Sequence, residues 1–293
     1  MNVTDKYPYF ACPYARSLAE RCPEFALQVN PDERELDDDD GYGADPFGEE
    51  EESAGCYGLK QRFPDRVLVM ASDSCFMNCR HCTRKGLLRQ ADVVRTDEEL
   101  QTCVSYVQDH PLVRDVLISG GDPLVLPDEE VMRFVRAFAG LAQVDVVRLC
   151  TRAPCVNPSR VTRDLARSLA RCGKVWVNTQ FNCAGEVTPE AAEACTNLVR
   201  AGVPVSCQTV LLAGVNDSAD AMLDLFRALQ RARVRPYYVF MCDPIAGISH
   251  FRVPLERAQE IERECAERIG GLGLPRFVAD VPGASRKIPI SEL

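Results

Sequence analysis

Apolar runs of strand length alternate with amphipathic stretches of helix length from residue 66 onward. The apolar runs predict strands at residues 67–72, 115–119, 146–150, 175–180, 204–210 and 235–240. The amphipathic stretches predict helices near residues 97–109, 128–141, 160–171, 188–201, 218–232 and 255–269. A final apolar run predicts a strand at about 276–280. Six strand–helix repeats favour a parallel sheet with right-handed crossovers, so we predict an α/β fold, a partial (β/α)6 TIM-like barrel.

The fourth of these helices has clear local signals at its beginning. Thr188 can cap the N-terminus, and Pro189 suits the first helical position because its missing N–H would have no helical partner there. Ala191, Ala194 and Leu198 then recur at helical spacing. We therefore expect this helix to begin at Pro189.

The first 60 residues lack the alternation of strands and helices. Aromatic and Cys/Pro-rich pieces among the first 30 residues fit an ordered cap better than a free tail. Residues 37–40 and 49–52 are acidic runs separated by a Gly-rich piece, a pattern typical of a solvated loop. We therefore predict an N-terminal extension with an acidic loop at residues 1–60, and a catalytic domain at residues 61–293.

Composition limits the classes of partner. A chain of 293 residues with 46% hydrophobic content can bury a full core. The net charge of −9 argues against a nucleic-acid partner, which would need a basic surface. No run approaches the roughly 18 apolar residues of a membrane span, and the N-terminus lacks a secretory signal pattern. Fifteen cysteines without a small secreted framework suggest reduced thiols, so we expect a cytoplasmic protein with no membrane partner.

Three cysteines lie on the loop that follows the first predicted strand, where α/β sheets normally bind ligands. Cys75, Cys79 and Cys82 could hold three irons of a 4Fe-4S cubane and leave the fourth iron open for chemistry. In a chain so rich in cysteine the spacing could also arise by chance. A zinc site usually needs four ligands in two spaced pairs. A non-catalytic iron–sulfur or zinc-binding module is therefore the alternative from another class.

Other polar residues follow the ends of later strands. Ser119, Gly120, Gly121 and Asp122 end the second strand, where glycines let the backbone approach a ligand closely, although Gly-Gly-Asp is also an ordinary turn. Two further candidates for cofactor contacts end the third and fourth strands, Arg152 and Gln180, and a plain loop role is equally open for both.

Two arginines, Arg62 and Arg66, lie four residues apart just before the first predicted strand. Their guanidinium groups could clamp a phosphate through charge-assisted hydrogen bonds. Surface ion pairs are an equally ordinary role for them. The spacing alone therefore leaves phosphate binding open.

The cysteine loop resembles a known signature. Its Cys-x3-Cys-x2-Cys spacing is similar to that of radical S-adenosylmethionine (SAM) enzymes, and the run Cys-Arg-His-Cys-Thr-Arg at 79–84 resembles the lysine 2,3-aminomutase family. The similarity extends from about Tyr7 to Ile290. It implies a 4Fe-4S cluster on the three cysteines, SAM at the open iron with its amino group on the Gly-Gly-Asp piece, and pyridoxal 5′-phosphate.

The resemblance also implies roles for single residues. Lys287, seven residues after Asp280, matches the lysine that holds pyridoxal phosphate as a Schiff base. By itself, such a lysine would be a solvated surface residue. Residues 62–66, Arg-Phe-Pro-Asp-Arg, resemble the family's Arg-Tyr-Pro-Asp-Arg, whose region helps to bind the cofactor's phosphate.

Substrate choice is implied in the same way. Arg84 matches the arginine that holds the substrate carboxylate, and Asp243 and Asp280 match the pair that binds the distal ammonium of lysine. Two carboxylates repel each other, and a positive side chain relieves that repulsion while an acidic one does not. This favours lysine, followed by arginine or ornithine, and disfavours glutamate.

The function implied is a pyridoxal-phosphate-dependent radical SAM 2,3-aminomutase, an isomerase that moves the α-amino group of L-lysine to the β-carbon to give β-lysine. An external electron donor such as flavodoxin or ferredoxin would supply the reductant. An arginine 2,3-aminomutase, or a related enzyme that desaturates or epimerises an amino acid, is the alternative.

Four residues depart from the family pattern. Phe63 and Phe240 stand where tyrosines are expected, and Gln180 where histidine is expected, which could alter reactivity. Ser218 replaces a cysteine of the zinc-containing members, so we expect no zinc. A homo-oligomer is left open.

Overall fold

The computed structural model describes residues 2–37, 42–45, 48, 58–85 and 95–293. Apart from Asp37, the predicted acidic runs at 37–40 and 49–52 lie outside these residues. Within the described ranges, no helix has both the length and the apolar character that a membrane crossing requires.

The described strands form one nine-stranded sheet in which every strand lies beside its neighbours in sequence. They are β1 Leu59–Phe63, β2 Arg66–Ser72, β3 Asp115–Gly120, β4 Val146–Cys150, β5 Val175–Thr179, β6 Val205–Leu211, β7 Arg235–Met241, β8 Arg276–Ala279 and β9 Ile288–Pro289. Strands β2 to β8 are parallel, while β1 and β9 pair antiparallel at the two edges.

Ten α-helices occur among the described residues. They are α1 Val3–Lys6, α2 Pro13–Arg21, α3 Pro23–Val29, α4 Asp97–Asp109, α5 Asp128–Ala139, α6 Ala153–Val156, α7 Arg163–Ala170, α8 Pro189–Ala201, α9 Ala219–Arg231 and α10 Leu255–Arg268. A helix follows each of the strands β2 to β7, which confirms the six predicted strand–helix repeats and the α/β class.

Local signals placed most boundaries correctly. Thr188 caps α8 by accepting a hydrogen bond from Ala191 N at 3.1 Å, and the helix begins at Pro189 as predicted. The predicted helix at 160–171 begins later, at Arg163, because a 3-10 turn at Pro158–Arg160 precedes it. Strands β1 and β9 were not predicted, since they carry polar residues or proline and owe their conformation to pairing with a neighbour.

The sheet has one packed face and one polar face. Two alternate residues of β3, Val116 and Ile118, are buried in the hydrophobic core. Leu117 and Ser119, which alternate with them, line a cavity. The same alternation places Arg148 of β4 on the cavity side. Since successive side chains of a strand point to opposite faces, the polar residues within these strands collect on one surface.

The N-terminal helices belong to the same hydrophobic cluster as the barrel. Leu18 of α2 and Phe25 and Val29 of α3 are fully buried within it. The predicted division at residue 60 therefore separates two segments that share one core, and it stays a prediction.

Candidate active site

A cavity of about 410 Å³ opens on the polar face of the sheet, a size typical of small-molecule sites. All of the residues selected from the sequence line it. They are Arg62, Arg66, Cys75, Cys79, Cys82, Arg84, Ser119, Gly120, Gly121, Asp122, Arg152, Gln180, Asp243, Asp280 and Lys287. The fold thus brings together residues that are up to 225 positions apart in the chain, from Arg62 to Lys287. Their individual roles remain predictions.

The cysteine loop, residues 73–85 after β2, is held by the N-terminal segment. Phe76 O accepts a hydrogen bond from Cys12 N, and Asn78 N donates to Phe10 O, each at 2.8 Å. Ala11 and Met77 form an antiparallel bridge between these two bonds. The thiols of Cys75, Cys79 and Cys82 form no disulfide. The loop therefore presents three thiols that are in no disulfide, from a backbone that is fixed by its neighbours, a donor set that fits an iron–sulfur cluster.

Gly120, the last residue of β3, and Gly121 after it pack against the backbone at the end of β2 and the start of the cysteine loop. Gly121 N donates to Ser72 O at 2.6 Å. A Cβ atom would lie 2.2 Å from Ser72 O at Gly120, which has φ +110°, and 2.1 Å from Ser74 O at Gly121. Sequence reasoning explained these glycines by close approach to a ligand. The structure shows that Gly120 is required by close packing on the end of β2, and Gly121 by close packing on the cysteine loop.

Asp122 has a structural role that the sequence did not reveal. Its buried carboxylate accepts hydrogen bonds from Leu124 N at 2.9 Å, Thr151 Oγ1 at 2.7 Å and Arg152 N at 2.8 Å. Burial raises the pKa of this carboxyl group, and the hydrogen bonds oppose that shift. Asp122 therefore ties the end of β3 to the end of β4, and its predicted cofactor contact stays a prediction.

Arg152 and Gln180 both face the cysteine loop. The buried guanidinium of Arg152 donates to Cys79 Sγ at 3.0 Å and to Gln28 Oε1 at 2.6 Å. Gln180 Nε2 lies 3.1 Å from His81 Nε2. Burial is the main cause that lowers the pKa of His81, so its ring is neutral and can accept this hydrogen bond.

The other end of the cavity is built around Lys287. Its Nζ donates to Asp280, whose carboxylate also accepts hydrogen bonds from Arg62 at 2.8 and 3.2 Å. The rings of Phe63 and Phe240 have their centres 5.7 and 5.2 Å from the same Nζ. Two of the positions that depart from the family pattern thus flank the predicted cofactor lysine.

Burial, together with the positive charges of Arg62, Arg66 and Arg148, lowers the pKa of Lys287 to about 8, while Asp243 acts in the opposite direction. An amine must be neutral to attack a carbonyl group, so the lowered pKa prepares Lys287 for that reaction. The same guanidinium groups provide positive charge for a phosphate. These residues therefore fit pyridoxal phosphate.

Further polar residues of the cavity wall are not among those selected from the sequence. Arg148 of β4 pairs with Asp115 through two hydrogen bonds of 3.0 and 2.7 Å. Lys60, Gln208 and Tyr238 are three more. A polar side chain at the position of a strand that faces away from the core would have indicated Arg148 and Gln208. Lys60 lies on the unpredicted strand β1.

The sequence comparisons agree with this site. The Radical SAM superfamily profile matches residues 69–226. The chain is 40% identical over 290 residues to the putative L-lysine 2,3-aminomutase of Aquifex aeolicus, covering 97% of this chain and 78% of that protein. It is 39% identical over 282 residues to the L-lysine 2,3-aminomutase of Fusobacterium nucleatum, covering 95% of this chain and 66% of that protein.

A relative with another substrate in its name is also similar. The glutamate 2,3-aminomutase of Clostridioides difficile is 33% identical over 293 residues, which cover 99% of this chain and 69% of that protein. Among solved structures, a radical SAM methyltransferase from Sphaerobacter thermophilus has a TM-score of 0.56 and 18% identity, covering 75% of this chain and 68% of that chain. At this identity the structural likeness concerns the fold alone, and it supports the partial barrel.

We predict that Gly121→Ala destabilises the protein. The added methyl group would meet Ser74 O, so the backbone must shift, at a cost of about 1–3 kcal/mol in the free energy of unfolding. Urea denaturation measures this change. Gly271→Ala is the matched control, because nothing lies within 4 Å of its Cβ position. Equal stability of the two variants would contradict the close packing of the glycine turn on the cysteine loop.

From its lowered pKa, we predict that Lys287 becomes reactive at a lower pH than an ordinary lysine. Its neutral fraction should reach one half near pH 8, whereas a lysine-containing peptide with the ordinary pKa of 10.5 should still be far from its maximum there. Reductive methylation at a series of pH values, followed by peptide mass spectrometry, measures both rates. A profile for Lys287 that follows that of the peptide would show that its pKa is not lowered.

Proposed function

The chain belongs to the lysine 2,3-aminomutase family of the radical SAM superfamily, and we propose that it moves the α-amino group of L-lysine to the β-carbon to give β-lysine. The observation that carries this proposal is the cavity that the three-cysteine loop shares with Lys287, Asp243 and Asp280. The chain spans 78% of the length of the Aquifex aeolicus relative and 66% of the length of the Fusobacterium nucleatum relative.

Members of this family use a 4Fe-4S cluster, SAM and pyridoxal phosphate. Cys75, Cys79 and Cys82 would hold the cluster, and Lys287 would bind pyridoxal phosphate covalently. When bound, the reduced cluster and SAM supply a carbon radical, and pyridoxal phosphate supplies an extended π system that stabilises an unpaired electron. The protein supplies placement and exclusion of water.

Residues around Lys287 favour the neutral form of its amine and shield it from water. Lys287 Nζ must lose its proton before it can form a covalent bond, and the positive guanidinium groups around it favour that loss. Arg62 and Arg66 are assigned to the cofactor's phosphate. Phe63 is buried and Phe240 is half-buried, so both rings help to keep water away from Nζ.

We assign the charged groups of the substrate to oppositely charged side chains of the cavity wall. Arg84 donates to Gly120 O at 3.1 Å beside the cysteine loop, and we assign it to the substrate carboxylate. Asp243 and Asp280 are assigned to the distal ammonium of lysine. Asp280 also accepts hydrogen bonds from Arg62 and Lys287, so a substrate ammonium would share this carboxylate with them.

The two carboxylates also bear on the choice between lysine and glutamate. A relative named for glutamate is 33% identical to this chain and one named for lysine is 41% identical, so identity alone separates these substrates weakly. An acidic side chain placed near Asp243 and Asp280 would be repelled. We therefore propose a basic substrate.

The partners of the enzyme are proposed from the same chemistry. Beyond its amino acid substrate, the enzyme would take one electron for the cluster from an external donor such as flavodoxin or ferredoxin. Its place of action is proposed to be the cytoplasm, where such donors and reduced thiols are found. A homo-oligomer remains a prediction without a described contact to support it.

An anaerobic assay tests the reaction. The reconstituted protein is mixed with a reductant, SAM and pyridoxal phosphate, and with lysine, arginine, ornithine or glutamate, and the products are separated by chiral mass spectrometry. We expect a β-amino isomer from lysine. Lys287→Ala should reduce this activity at least about 10³-fold, since the covalent anchor is lost. Lys174→Ala is the control, because Lys174 lies outside the cavity and contacts Leu141 O.

Each other product contradicts a different part of the proposal. A β-isomer from arginine alone would change the substrate, and a product two hydrogens lighter would indicate desaturation. An inverted stereocentre would indicate epimerisation. Deoxyadenosine without a β-amino acid would retain the radical step but reject nitrogen migration, and would direct attention to Phe63, Phe240 and Gln180.

We predict that Asp243→Asn lowers kcat/KM for lysine at least about 30-fold, since a charged partner of the substrate ammonium is lost. Steady-state kinetics with lysine measures this change. Asp145→Asn is the control, because Asp145 pairs with Arg114 on the exposed surface. If the two variants kept equal kcat/KM for lysine, Asp243 would not bind the substrate.

A further inference from the structure

One buried carboxylate from the N-terminal segment contacts two cations of the cysteine loop. Glu35, in the 3-10 turn Glu33–Leu36, is 0% exposed. Arg80 Nε donates to Glu35 Oε1 at 2.8 Å, and a second nitrogen of Arg80 contacts Oε2. Lys85 Nζ lies 2.5 Å from the same Oε2. Both oxygens of Glu35 are therefore used by the loop.

The two cations hold different parts of the loop. Arg80 lies between Cys79 and Cys82, and Lys85 lies three residues after Cys82. Lys85 Nζ also donates to Arg80 O at 3.1 Å and to Gly247 O at 2.9 Å. Glu35 thus fixes the loop on both sides of Cys82.

Arg80 also reaches the N-terminal backbone. Its guanidinium donates to Pro8 O at 3.2 Å and to Tyr7 O at 3.5 Å. The backbone N–H of Arg80 donates to Gln28 O at 2.8 Å. These contacts leave Arg80 1% exposed. The guanidinium is therefore enclosed by the N-terminal segment, and Glu35 provides the negative charge at its centre.

The charges make this contact costly to break. A buried ion is strongly destabilised unless an opposite charge and hydrogen bonds compensate it, and removing one member of a buried pair leaves the other uncompensated. Here one carboxylate compensates two cations, of which Lys85 is 7% exposed. Neutralising Glu35 would leave both cations buried, so water must enter or the loop must move.

We propose that Glu35 is a positioning residue for the iron–sulfur site, which holds Arg80 and Lys85 so that Cys79 and Cys82 keep the placement that the cluster requires. This inference rests on the proposed function, since it assumes a cluster on these cysteines. Thiolates on a loop need support from outside the loop to keep a ligand geometry. Glu35 provides that support from a segment 45 residues away from Arg80.

Three variants test the proposal. Glu35→Gln removes the charge, Glu35→Asp keeps it on a shorter side chain, and Asp32→Asn is the control. Asp32 caps the same turn, a role that asparagine also fills, and its backbone N–H, which the substitution keeps, donates to Glu35 Oε1. Its carboxylate accepts hydrogen bonds from Arg34 rather than from the loop. The measurements are circular dichroism and melting of the metal-free proteins, iron per chain after anaerobic reconstitution, and the rate of iron loss to a chelator. The electron paramagnetic resonance spectrum of the reduced cluster is recorded with and without SAM.

We expect metal-free Glu35→Gln to keep the wild-type circular dichroism spectrum but to lose iron to the chelator about tenfold faster after reconstitution. Its spectrum with SAM should also change. Glu35→Asp should lose iron more slowly than Glu35→Gln but faster than the wild-type protein. Asp32→Asn should lose iron at the wild-type rate. A folded Glu35→Gln that retains iron and keeps the wild-type spectrum would overturn the proposal. Equal iron loss from Asp32→Asn would do the same.

Two further outcomes are distinguishable. If Glu35→Gln does not fold, Lys85→Met is measured in its place, and wild-type iron retention by that variant would overturn the proposal. If the wild-type protein takes up no cluster, the proposed function fails and this inference fails with it. A stable wild-type cluster and an equally stable Glu35→Gln cluster would reject only the inference.

Discussion

The hydrogen bonds that hold the cysteine loop constrain most of the surrounding structure. A loop lacks the repeated backbone bonds of a strand or helix, so its conformation must come from partners elsewhere. Gly121 N and Asp122 N donate to Ser72 O and Ser74 O, and the N-terminal segment bonds the backbone around Met77. The β3–α5 connection and the N-terminal helices are therefore structural parts of the cysteine site, although both lie far from the cysteine loop in sequence.

Charge is distributed differently at the two ends of the cavity. Near the cysteines, the positive guanidinium of Arg152 donates a hydrogen bond to Cys79 Sγ. Near Lys287, the guanidinium of Arg62 pairs with Asp280, and Arg66 and Asp243 line the same cavity. Positive and negative side chains at this end can bind a phosphate and an ammonium in one cavity. The guanidinium groups would pair with the phosphate, and the carboxylates with the ammonium. A basic amino acid bound with pyridoxal phosphate has this charge pattern.

Two of the four departures from the family pattern lie beside Lys287. Phe63 packs against Arg66, whose guanidinium lies 4.3 Å from the ring centre, and both Phe63 and Phe240 flank Lys287. A phenyl ring buries the lysine stem but has no hydroxyl group to donate or accept a hydrogen bond. This agrees with burial as the largest cause of the lowered pKa of Lys287. Phe63 and Phe240 therefore affect the environment of Nζ, whereas Gln180 lies beside His81 of the cysteine loop.

The sequence by itself determined the order of strands and helices and the common location of the predicted site residues. Periodicity and capping are local properties, as at Thr188, and parallel strands bring their carboxyl ends to one edge whatever their separation in sequence. Only the tertiary structure decided that Asp122 is used within the protein, that Gly121 is required by Ser74, and that Glu35 holds Arg80 and Lys85. These contacts join segments with separate local patterns, so no single stretch of sequence contains both partners.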